Sequence, residues 1–274
     1  MMDVPGFREG VCAVPGASLY YQTAGSGPAL VFVHAGIADQ RMWDGQFAAF
    51  AADFQVVRYD CRGFGRTVTE DVPFSNRADL IALLDQLGIA QAALVGCSRG
   101  AMIALDTAIE YADRVTKLVW VCGGIGGWEM PEESYPPAEI ELFKAMGAAE
   151  QSGDWERTAS MDVRLWVDGP LQPEGRAAAS VREAVYAMAL NTYTTVKVYG
   201  QVQPMQPPAA ERLDTLRLPI LAIVGDLDTV ETAAAAQVLA AQAGTVRVVH
   251  FSDSAHLPSM EQPEQFNQVL REFL

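Results

Sequence analysis

The sequence predicts an α/β fold in which a mostly parallel sheet of eight strands is flanked by helices on both faces. Apolar runs alternate with segments of helical periodicity along most of the 274 residues, the pattern expected of strand–helix–strand units. Several of these apolar runs contain no polar residue, as is typical of strands buried on both faces. Half of the residues are hydrophobic, so the chain has enough apolar surface for a sizeable core.

The individual elements follow from the same periodicity. Strands are expected at residues 11–14, 19–22, 30–33, 55–59, 92–95, 117–121, 221–224 and 246–251. Helices are expected at residues 40–52, 77–87, 99–111, 229–242 and 263–274. In a sheet built from such alternating units, ligands bind at the carboxyl ends of the strands, which is where functional residues should be sought.

One long segment, residues 125–212, interrupts this alternation. It is helix-like, it carries prolines along its length, and it lies between the predicted strands at 117–121 and 221–224. A stretch of this length is not a plain loop in a compact domain. We therefore expect a core domain formed by residues 1–124 and 213–274, with a helical unit inserted between its two parts.

The charge of the chain excludes several classes of partner. Its 34 acidic residues outnumber its 19 Lys and Arg, which gives a net charge of −15. Such a chain repels the phosphates of nucleic acids and the anionic surface of membranes, so neither is expected as a partner. No apolar stretch is long enough to span a bilayer, and the first residues lack the apolar core of a signal peptide. These features predict a cytoplasmic protein.

The four cysteines, at positions 12, 61, 97 and 122, form neither a C-x-x-C motif nor a cluster. They predict buried thiols in a reducing compartment rather than a disulfide framework. The sequence contains no metal-ligand spacing of His or Cys and no P-loop. We therefore expect no cofactor and no metal.

The most informative motif is the pentapeptide Gly96-Cys97-Ser98-Arg99-Gly100. An apolar run precedes it and a helical pattern follows it, which is the strand–turn–helix context of a nucleophile elbow. In such a turn the serine adopts a strained backbone conformation, and glycine neighbours let the strand and the helix approach closely. The alternative is a glycine-lined turn in which Ser98 caps the helix, and the pentapeptide alone favours neither interpretation.

An acidic residue and a histidine follow two later strands. Asp228 lies just beyond the apolar run that ends at residue 224, and His256 lies in a short loop after the run 246–251. The order Ser98, Asp228, His256 matches the chain order of one known arrangement of the serine triad. In that arrangement the histidine is the general base that activates the serine, and the aspartate orients the imidazole.

Each triad residue has a rival in the sequence. His250 falls inside a strand pattern, so it is the weaker candidate for the base. Asp226 follows a glycine directly and is better suited to ordering the turn, and Asp253 is close in sequence to the candidate histidine. Cys97 precedes the candidate nucleophile, and its place in the elbow predicts an inert side chain that points into the core.

Together these motifs resemble those of serine hydrolases with the α/β-hydrolase fold, and the resemblance covers nearly the whole chain. The matching segments are His34-Ala35-Gly36, Asp60-Cys61-Arg62-Gly63-Phe64-Gly65, Gly96-Cys97-Ser98-Arg99-Gly100, Gly225-Asp226-Leu227-Asp228 and Ala255-His256-Leu257-Pro258. One departure is visible, because Ala35 stands where the family more often has glycine.

The resemblance implies acyl transfer to the serine, followed by hydrolysis of the acyl-enzyme by water. It also implies that the backbone N–H groups of Gly36 and Arg99 bind the developing oxyanion. Ile37 is the alternative to Gly36, since the replacement at Ala35 leaves open which amide completes the oxyanion hole. His34 and the glycine-rich turn at 60–65 are expected to be structural.

In the resembling family a helical cap covers the active site at the place that residues 125–212 occupy here. Four aromatic side chains of this segment are expected to bind substrate: Trp128, Trp155, Trp166 and Tyr193. The alternative for each of them is packing inside the cap. The side chain of Arg99, if it faces the pocket, would favour a substrate that bears a carboxylate.

The function that we expect is hydrolysis of carboxylic esters or lactones of small to medium size, by a monomer or homodimer. The small-molecule substrate is the only partner expected. Carbon–carbon bond hydrolysis uses a similar triad and stays open, as does a ligand-binding receptor with slow turnover on the same fold. Dehalogenation and epoxide hydrolysis are disfavoured, because related enzymes with those activities need a carboxylate at position 98.

Overall fold

The computed structural model describes residues 4–274. In chain order the strands are β1 (Arg8–Val14), β2 (Ala17–Ala24), β3 (Ala29–Val33), β4 (Gln55–Tyr59), β5 (Val68–Thr69), β6 (Pro73–Phe74), β7 (Ala92–Cys97), β8 (Val115–Val121), β9 (Gln201–Val202), β10 (Pro219–Gly225) and β11 (Thr245–Phe251). The helices are α1 (Asp44–Phe50), α2 (Asn76–Gln86), α3 (Arg99–Glu110), α4 (Pro137–Ser152), α5 (Trp155–Asp162), α6 (Ala179–Thr195), α7 (Val230–Gln242), α8 (Pro258–Glu261) and α9 (Pro263–Phe273).

The main sheet confirms the predicted architecture. Its order is β1-β2-β4-β3-β7-β8-β10-β11, and β5 pairs with β2 as a short additional strand. The β1–β2 and β2–β4 pairs are antiparallel, and the neighbours from β4 to β11 are all parallel. The eight predicted strands are the eight of this order. The two-residue strands β5, β6 and β9 were not predicted, because so short a segment has no measurable periodicity.

The sheet is buried on both faces, which explains the uninterrupted apolar runs. Within β3, Val31 and Val33 pack into one hydrophobic cluster, while Leu30 and Phe32 pack into a second cluster on the opposite face. Every residue of β7 is buried, because helices cover this central strand from both sides. The rigid centre of the sheet therefore holds the carboxyl ends of its strands in fixed positions.

The predicted core helices are present with small differences at their ends. Four of them, α2, α3, α7 and α9, begin and end within one residue of the predicted bounds. The helix predicted at residues 40–52 instead begins as a 3-10 turn, Gln40–Trp43, and then continues as α1. The Asp39 carboxylate accepts a hydrogen bond from the backbone N–H of Arg41 at 2.9 Å, which favours a helix start at this point.

The segment that interrupts the alternation forms three helices between β8 and β10. Helix α4 packs against α5, and α5 packs against α6. A π-helical stretch, Val163–Asp168, continues α5 without a break. Strand β9 of the same segment pairs in parallel with β6, which precedes α2, so a second, two-stranded sheet joins the inserted segment to the core.

All four cysteines are buried and unpaired, as predicted from their spacing. They lie in or next to strands of the main sheet, where a thiol packs as a small hydrophobic side chain. In the part of the chain that the structure describes, no helix has the length and apolar character needed to cross a membrane.

Candidate active site

Ser98 lies in a sharp turn between β7 and α3 with φ 55° and ψ −119°, a left-handed backbone conformation that serine rarely adopts. Its backbone N–H donates to the carbonyl of Val121 at 2.8 Å, which helps to hold the turn. The Ser98 side chain makes no capping hydrogen bond with α3. The capping interpretation is therefore wrong, and a strained turn that exposes a hydroxyl is typical of a nucleophile.

The two glycines of the motif are required by close approach of the backbone. A β-carbon at Gly96 would lie 2.1 Å from the carbonyl oxygen of Gly100, and one at Gly100 would lie 2.2 Å from that of Val33. Real side chains never approach backbone oxygens so closely, so only glycine lets β7, α3 and β3 meet here. This packing holds Ser98 at the carboxyl end of the central strand.

Asp228 and His256 form a buried pair at the same edge of the sheet. His256 Nδ1 donates to Asp228 Oδ2 at 2.7 Å, and the two side chains are only 6% and 1% exposed. The second carboxylate oxygen of Asp228 accepts from the backbone N–H of Thr229 at 2.8 Å. Because Nδ1 is engaged, Nε2 is the ring nitrogen of His256 that remains for proton transfer.

The histidine loop packs next to the serine turn. The thiol of Cys97 donates to the carbonyl of His256 at 3.4 Å, so Cys97 points into the core as predicted. Burial and the nearby Asp228 carboxylate raise the pKa of this thiol well above its usual value. An uncharged thiol is a poor nucleophile, so the structure does not support Cys97 as a rival to Ser98.

The same strand ends carry a second histidine–aspartate pair. His250 Nδ1 lies 2.6 Å from Asp226 Oδ1, a contact as short as that of the buried pair. Its side chains are 57% and 41% exposed, however, and they lie on the surface of the sheet edge. The rival residues therefore pair with each other and not with the buried Asp228 or His256.

Three potential metal ligands come together in the described part of the chain. These are the Cys122 sulfur, a carboxylate oxygen of Asp228 and a ring nitrogen of His256, and the three atoms lie within 4.8 Å of one another. Metal binding needs a thiolate, but burial and the Asp228 charge raise the pKa of Cys122 well above its usual value. This chemistry fits a buried thiol packed beneath the histidine–aspartate pair better than it fits a metal centre.

The loop after β3 is fixed by His34. Its Nδ1 donates to the carbonyl of Ala35 at 2.7 Å, and its Nε2 accepts from the backbone N–H of Cys61 at 3.0 Å. These two bonds tie the loop to the glycine-rich turn at 60–65. His34 thus has the structural position expected of it.

Gly36 and Arg99 lie next to each other beside the serine turn. The position of a β-carbon at Gly36 would be 3.8 Å from both Cβ and Cδ of Arg99. Arg99 is the first residue of α3, so its N–H has no partner inside the helix. The positive end of the helix dipole adds to the field at this point, which suits a developing negative charge.

The four predicted substrate-binding aromatics occupy different environments. Trp166, in the π-helical stretch, lies 4.5 Å from the His256 ring between centroids, and its carbonyl accepts from the His256 backbone N–H at 3.1 Å. Trp155 and Tyr193 stack on each other at 5.7 Å, while Trp128 packs against the hydrophobic core. The structure thus brings Trp166 to the His256–Asp228 pair, and it places the other three in packing contacts.

Two residues near the site were not identified from the sequence. Phe143 of α4 contacts Trp166, with their ring centroids 5.9 Å apart. Glu139, also in α4, is fully buried near the N-terminus of α7. The pKa of Glu139 is raised to about 7, chiefly by burial. The backbone N–H of Val230 lowers this pKa, and the negative charge of Asp228 raises it further. Nothing in the sequence pattern distinguishes these residues from the rest of their helix.

Comparisons with known proteins show which proteins the chain is similar to. Residues 30–269 match the model of the alpha/beta hydrolase family. The chain is 28% identical to 3-oxoadipate enol-lactonase 1 of Acinetobacter baylyi, over 90% of this chain and 88% of that protein. It is also 28% identical to a 2-hydroxy-6-oxononadienedioate/2-hydroxy-6-oxononatrienedioate hydrolase of Burkholderia vietnamiensis, over 93% of this chain and 90% of that protein. The structure of a hydrolase from Pseudomonas aeruginosa superposes with a TM-score of 0.76 at 24% identity, covering 97% and 98% of the two chains.

Proposed function

The chain belongs to the alpha/beta hydrolase family, and we propose that it is a serine hydrolase that cleaves carboxylic esters or lactones of small to medium size. One observation carries the proposal. A strained serine whose hydroxyl does not cap its helix lies at the same sheet edge as a buried histidine–aspartate pair. The similarity to an enol-lactonase, which covers most of both chains, supports an ester bond as the target.

In the proposed mechanism His256 Nε2 takes the proton of Ser98 Oγ as that oxygen attacks the substrate carbonyl. The imidazolium that forms is stabilised by Asp228, whose carboxylate accepts from Nδ1. His256 then returns the proton to the leaving alkoxide, and the acyl group stays on Ser98. A water molecule, deprotonated by the same histidine, hydrolyses the acyl-enzyme.

The negative charge on the carbonyl oxygen would be held by the N–H groups of Gly36 and Arg99, with Ile37 as the alternative to Gly36. Their adjacency and the N-terminal position of Arg99 in α3 support this assignment. The reaction requires no cofactor or metal. Its steps need only the side chains and amides of this site, together with water.

We propose further that residues 125–212 form a cap over this site. The contact between Trp166 and His256 supports the proposal, because it connects the inserted helices to the triad residues. Through Phe143 the same contact reaches α4. Trp166 is then the aromatic side chain best located to meet substrate, while Trp128, Trp155 and Tyr193 would act by holding the cap together.

The second candidate function is hydrolysis of a carbon–carbon bond. It is favoured by the similarity to the Burkholderia vietnamiensis hydrolase, which is as high as that to the enol-lactonase. A third hypothesis, a receptor of the same fold, would use the same residues but release product very slowly.

The experiment that tests the proposal is hydrolysis of p-nitrophenyl esters from acetate to decanoate by the wild type, Ser98→Ala and the control Ser252→Ala. Ser252 is exposed, so its substitution should leave the rate unchanged. We expect Ser98→Ala to lower kcat/KM by about 10⁴-fold or more. Equal rates in the wild type and Ser98→Ala would contradict the proposal. Activity only on a vinylogous diketone, lost in Ser98→Ala, would favour the carbon–carbon hydrolase.

A further inference from the structure

A cavity of about 490 Å³ lies beside the serine turn, along the outer face of α3. Its wall includes Arg99, Met102, Ile103 and Asp106 of that helix, and Ser98 itself is not part of the wall. The volume is within the usual range of small-molecule sites, about 300–1,000 Å³. This cavity therefore has the size to take the part of a substrate that extends away from the reacting carbonyl, and Arg99 is the residue that connects it to the serine turn.

Two arginines line the cavity, and they differ in how their charge is balanced. Arg77 is neutralised by Glu110, with Nε 2.5 Å from a carboxylate oxygen, and Asp106 lies 3.8 Å from its Nη1. Arg99 Nη2 donates to the amide oxygen of Asn76 at 3.1 Å, which carries no charge. Within residues 4–274, no carboxylate lies within 4.0 Å of the Arg99 guanidinium.

The Arg99 guanidinium also retains unused hydrogen-bonding capacity. Its Nη1 is buried and has no nitrogen or oxygen acceptor among the described residues, and the guanidinium also interacts with the Cys61 thiol. The group is held over the ring of Phe64, with Cζ 4.8 Å from the ring centroid. A fixed, planar cation with no carboxylate partner of its own is suited to binding the carboxylate of a ligand. Leaving it unpaired is unfavourable, so an anion from solution would stabilise this arrangement.

The acidic residue of the cavity does not cancel this site. Asp106 is seven residues after Arg99 along α3, which separates their Cα atoms by about 10 Å of helix rise. It faces Arg77, as its distance to Nη1 shows. The positive charge of Arg99 therefore dominates the end of the cavity nearest Ser98.

The side chain of Arg99 connects the reaction centre to this cation. Its Cβ and Cδ lie beside Gly36, whose amide is proposed to bind the oxyanion. Its guanidinium lies at the cavity wall, separated from the Arg99 backbone amide by the length of the side chain. A substrate with its carbonyl at the two amides can thus extend along the arginine stem and end in an anion at the guanidinium.

We propose that Arg99 forms an anion subsite that selects half-esters or lactones of dicarboxylic acids, with the distal carboxylate bound by the guanidinium. This inference rests on the proposed hydrolase function. It adds a specificity role for the Arg99 side chain to the role of its backbone amide. The reacting carbonyl and the bound carboxylate would be separated by the length of the arginine side chain.

An internal anion is the competing explanation. Burial acts against ionisation of the Cys61 thiol, but His34 and Arg99 lower its pKa to about 7. A Cys61 thiolate would balance the guanidinium without any ligand. The test must therefore separate an anion on the substrate from an anion on the protein.

The first arm of the test compares methyl half-esters of glutaric, adipic and pimelic acid with the corresponding methyl ester carboxamides, which have the same shape and no charge. We expect the wild type to prefer the charged series. Arg99→Met should reduce the ratio of the two kcat/KM values by about 10- to 100-fold, the equivalent of one hydrogen bond to a charged group. Arg99→Lys should retain part of the preference, and the control Arg8→Met, at an exposed arginine of β1, should retain all of it.

The second arm measures binding without turnover. Calorimetry of adipate with Ser98→Ala should show saturable binding that is weakened by the same factor in Ser98→Ala/Arg99→Met. Adipate binding that depends on Arg99 in a protein without any hydrolytic activity would retain the subsite and reject the hydrolase. Hydrolysis of charged and neutral esters at ratios that Arg99→Met does not change would retain the hydrolase and reject the subsite.

Cys61→Ser completes the design. If the substrate supplies the anion, this variant keeps the preference for half-esters and its dependence on Arg99. A preference that is absent in the wild type and arises only in Cys61→Ser would identify the thiolate as the counter-ion and overturn the proposal.

Discussion

Two histidine–aspartate pairs lie at the ends of the same two strands, β10 and β11, and they differ in burial rather than in contact distance. Nδ1 and carboxylate oxygen are 2.7 Å apart in His256–Asp228 and 2.6 Å apart in His250–Asp226. The side chains of the first pair are almost completely buried, while about half of each side chain in the second is exposed. A short contact is thus no guide to function by itself.

The physical difference lies in how each environment treats charge. An exposed pair is screened by water and salt, so it contributes little to holding either partner in place. A buried carboxylate next to an imidazole interacts more strongly, because less water screens the pair. Packing adds to this, since the ring of His256 is held against Trp166. Burial beside the serine turn is the difference that favours the first pair for the proposed proton transfer.

The largest contrast is expected from the two histidines. His256→Gln removes the proposed base and should lower kcat/KM for an ester substrate by on the order of 10⁴–10⁶. The matched variant His250→Gln changes an exposed side chain and should keep the wild-type rate. Steady-state kinetics on both variants provides the check. A large loss in His250→Gln would show that the exposed pair takes part.

The aspartates should give the next contrast. Asp228→Asn preserves shape but no longer holds the required imidazole tautomer, so kcat should fall by on the order of 10⁴. Asp226→Asn is the matched control at the surface and should leave kcat unchanged. If the two variants were equally active, the assignment of the buried carboxylate would fail.

A smaller effect is expected where the inserted helices meet the His256–Asp228 pair. Trp166→Ala removes the packing that orients the His256 ring, and such a misplacement should cost about 10- to 100-fold in kcat. Trp155→Ala removes an aromatic ring that stacks on Tyr193 and does not contact the pair. We expect it to retain kcat, measured on the same ester. Equal losses in both variants would indicate a general effect on the fold.

The smallest effect concerns stability and pH at Glu139, the buried carboxyl of α4. Its pKa is raised from 4.5 to about 7, chiefly by burial, so the folded protein keeps a proton that the unfolded chain releases. The contribution of Glu139 to stability is therefore complete below pH 4.5 and is lost as the pH rises to about 7.

Glu139→Gln should remove this loss, and thermal unfolding followed across that pH range measures it. Between pH 4.5 and about 7, the Tm of the wild type should fall by more than the Tm of Glu139→Gln. Glu141→Gln alters an exposed carboxyl of the same helix and serves as the control. A wild-type pH dependence that survives in Glu139→Gln would place its origin elsewhere.

The sequence allowed prediction of the core because its signals are local. Eight apolar runs gave the main sheet, and the elbow pentapeptide was recognisable because close backbone contacts at Gly96 and Gly100 admit no other residue. The two candidate triad partners, Asp228 and His256, follow strands whose carboxyl ends a parallel sheet brings to one edge. The local sequence pattern and the geometry of a parallel sheet were sufficient to predict the core and to select the candidate site residues.

The environment of residues in the inserted segment could not be predicted from the sequence, because it depends on contacts between residues that are distant along the chain. The aromatic residues of 125–212 look alike in the sequence, and only the packing of the helices separates Trp166 from Trp155. The buried position of Glu139 runs against the usual exposure of glutamate, so no pattern predicts it. The strand β9 forms only through pairing with β6, more than a hundred residues earlier in the chain.

The measurement that tests the central claim most directly is covalent labelling with a fluorophosphonate, which requires an activated serine but no knowledge of the substrate. Peptide mass spectrometry of the labelled wild type should locate the adduct on Ser98. His250→Gln should react at the wild-type rate, and His256→Gln should lose nearly all of the labelling. An adduct on another residue, or equal labelling of Ser98 in both histidine variants, would contradict the account.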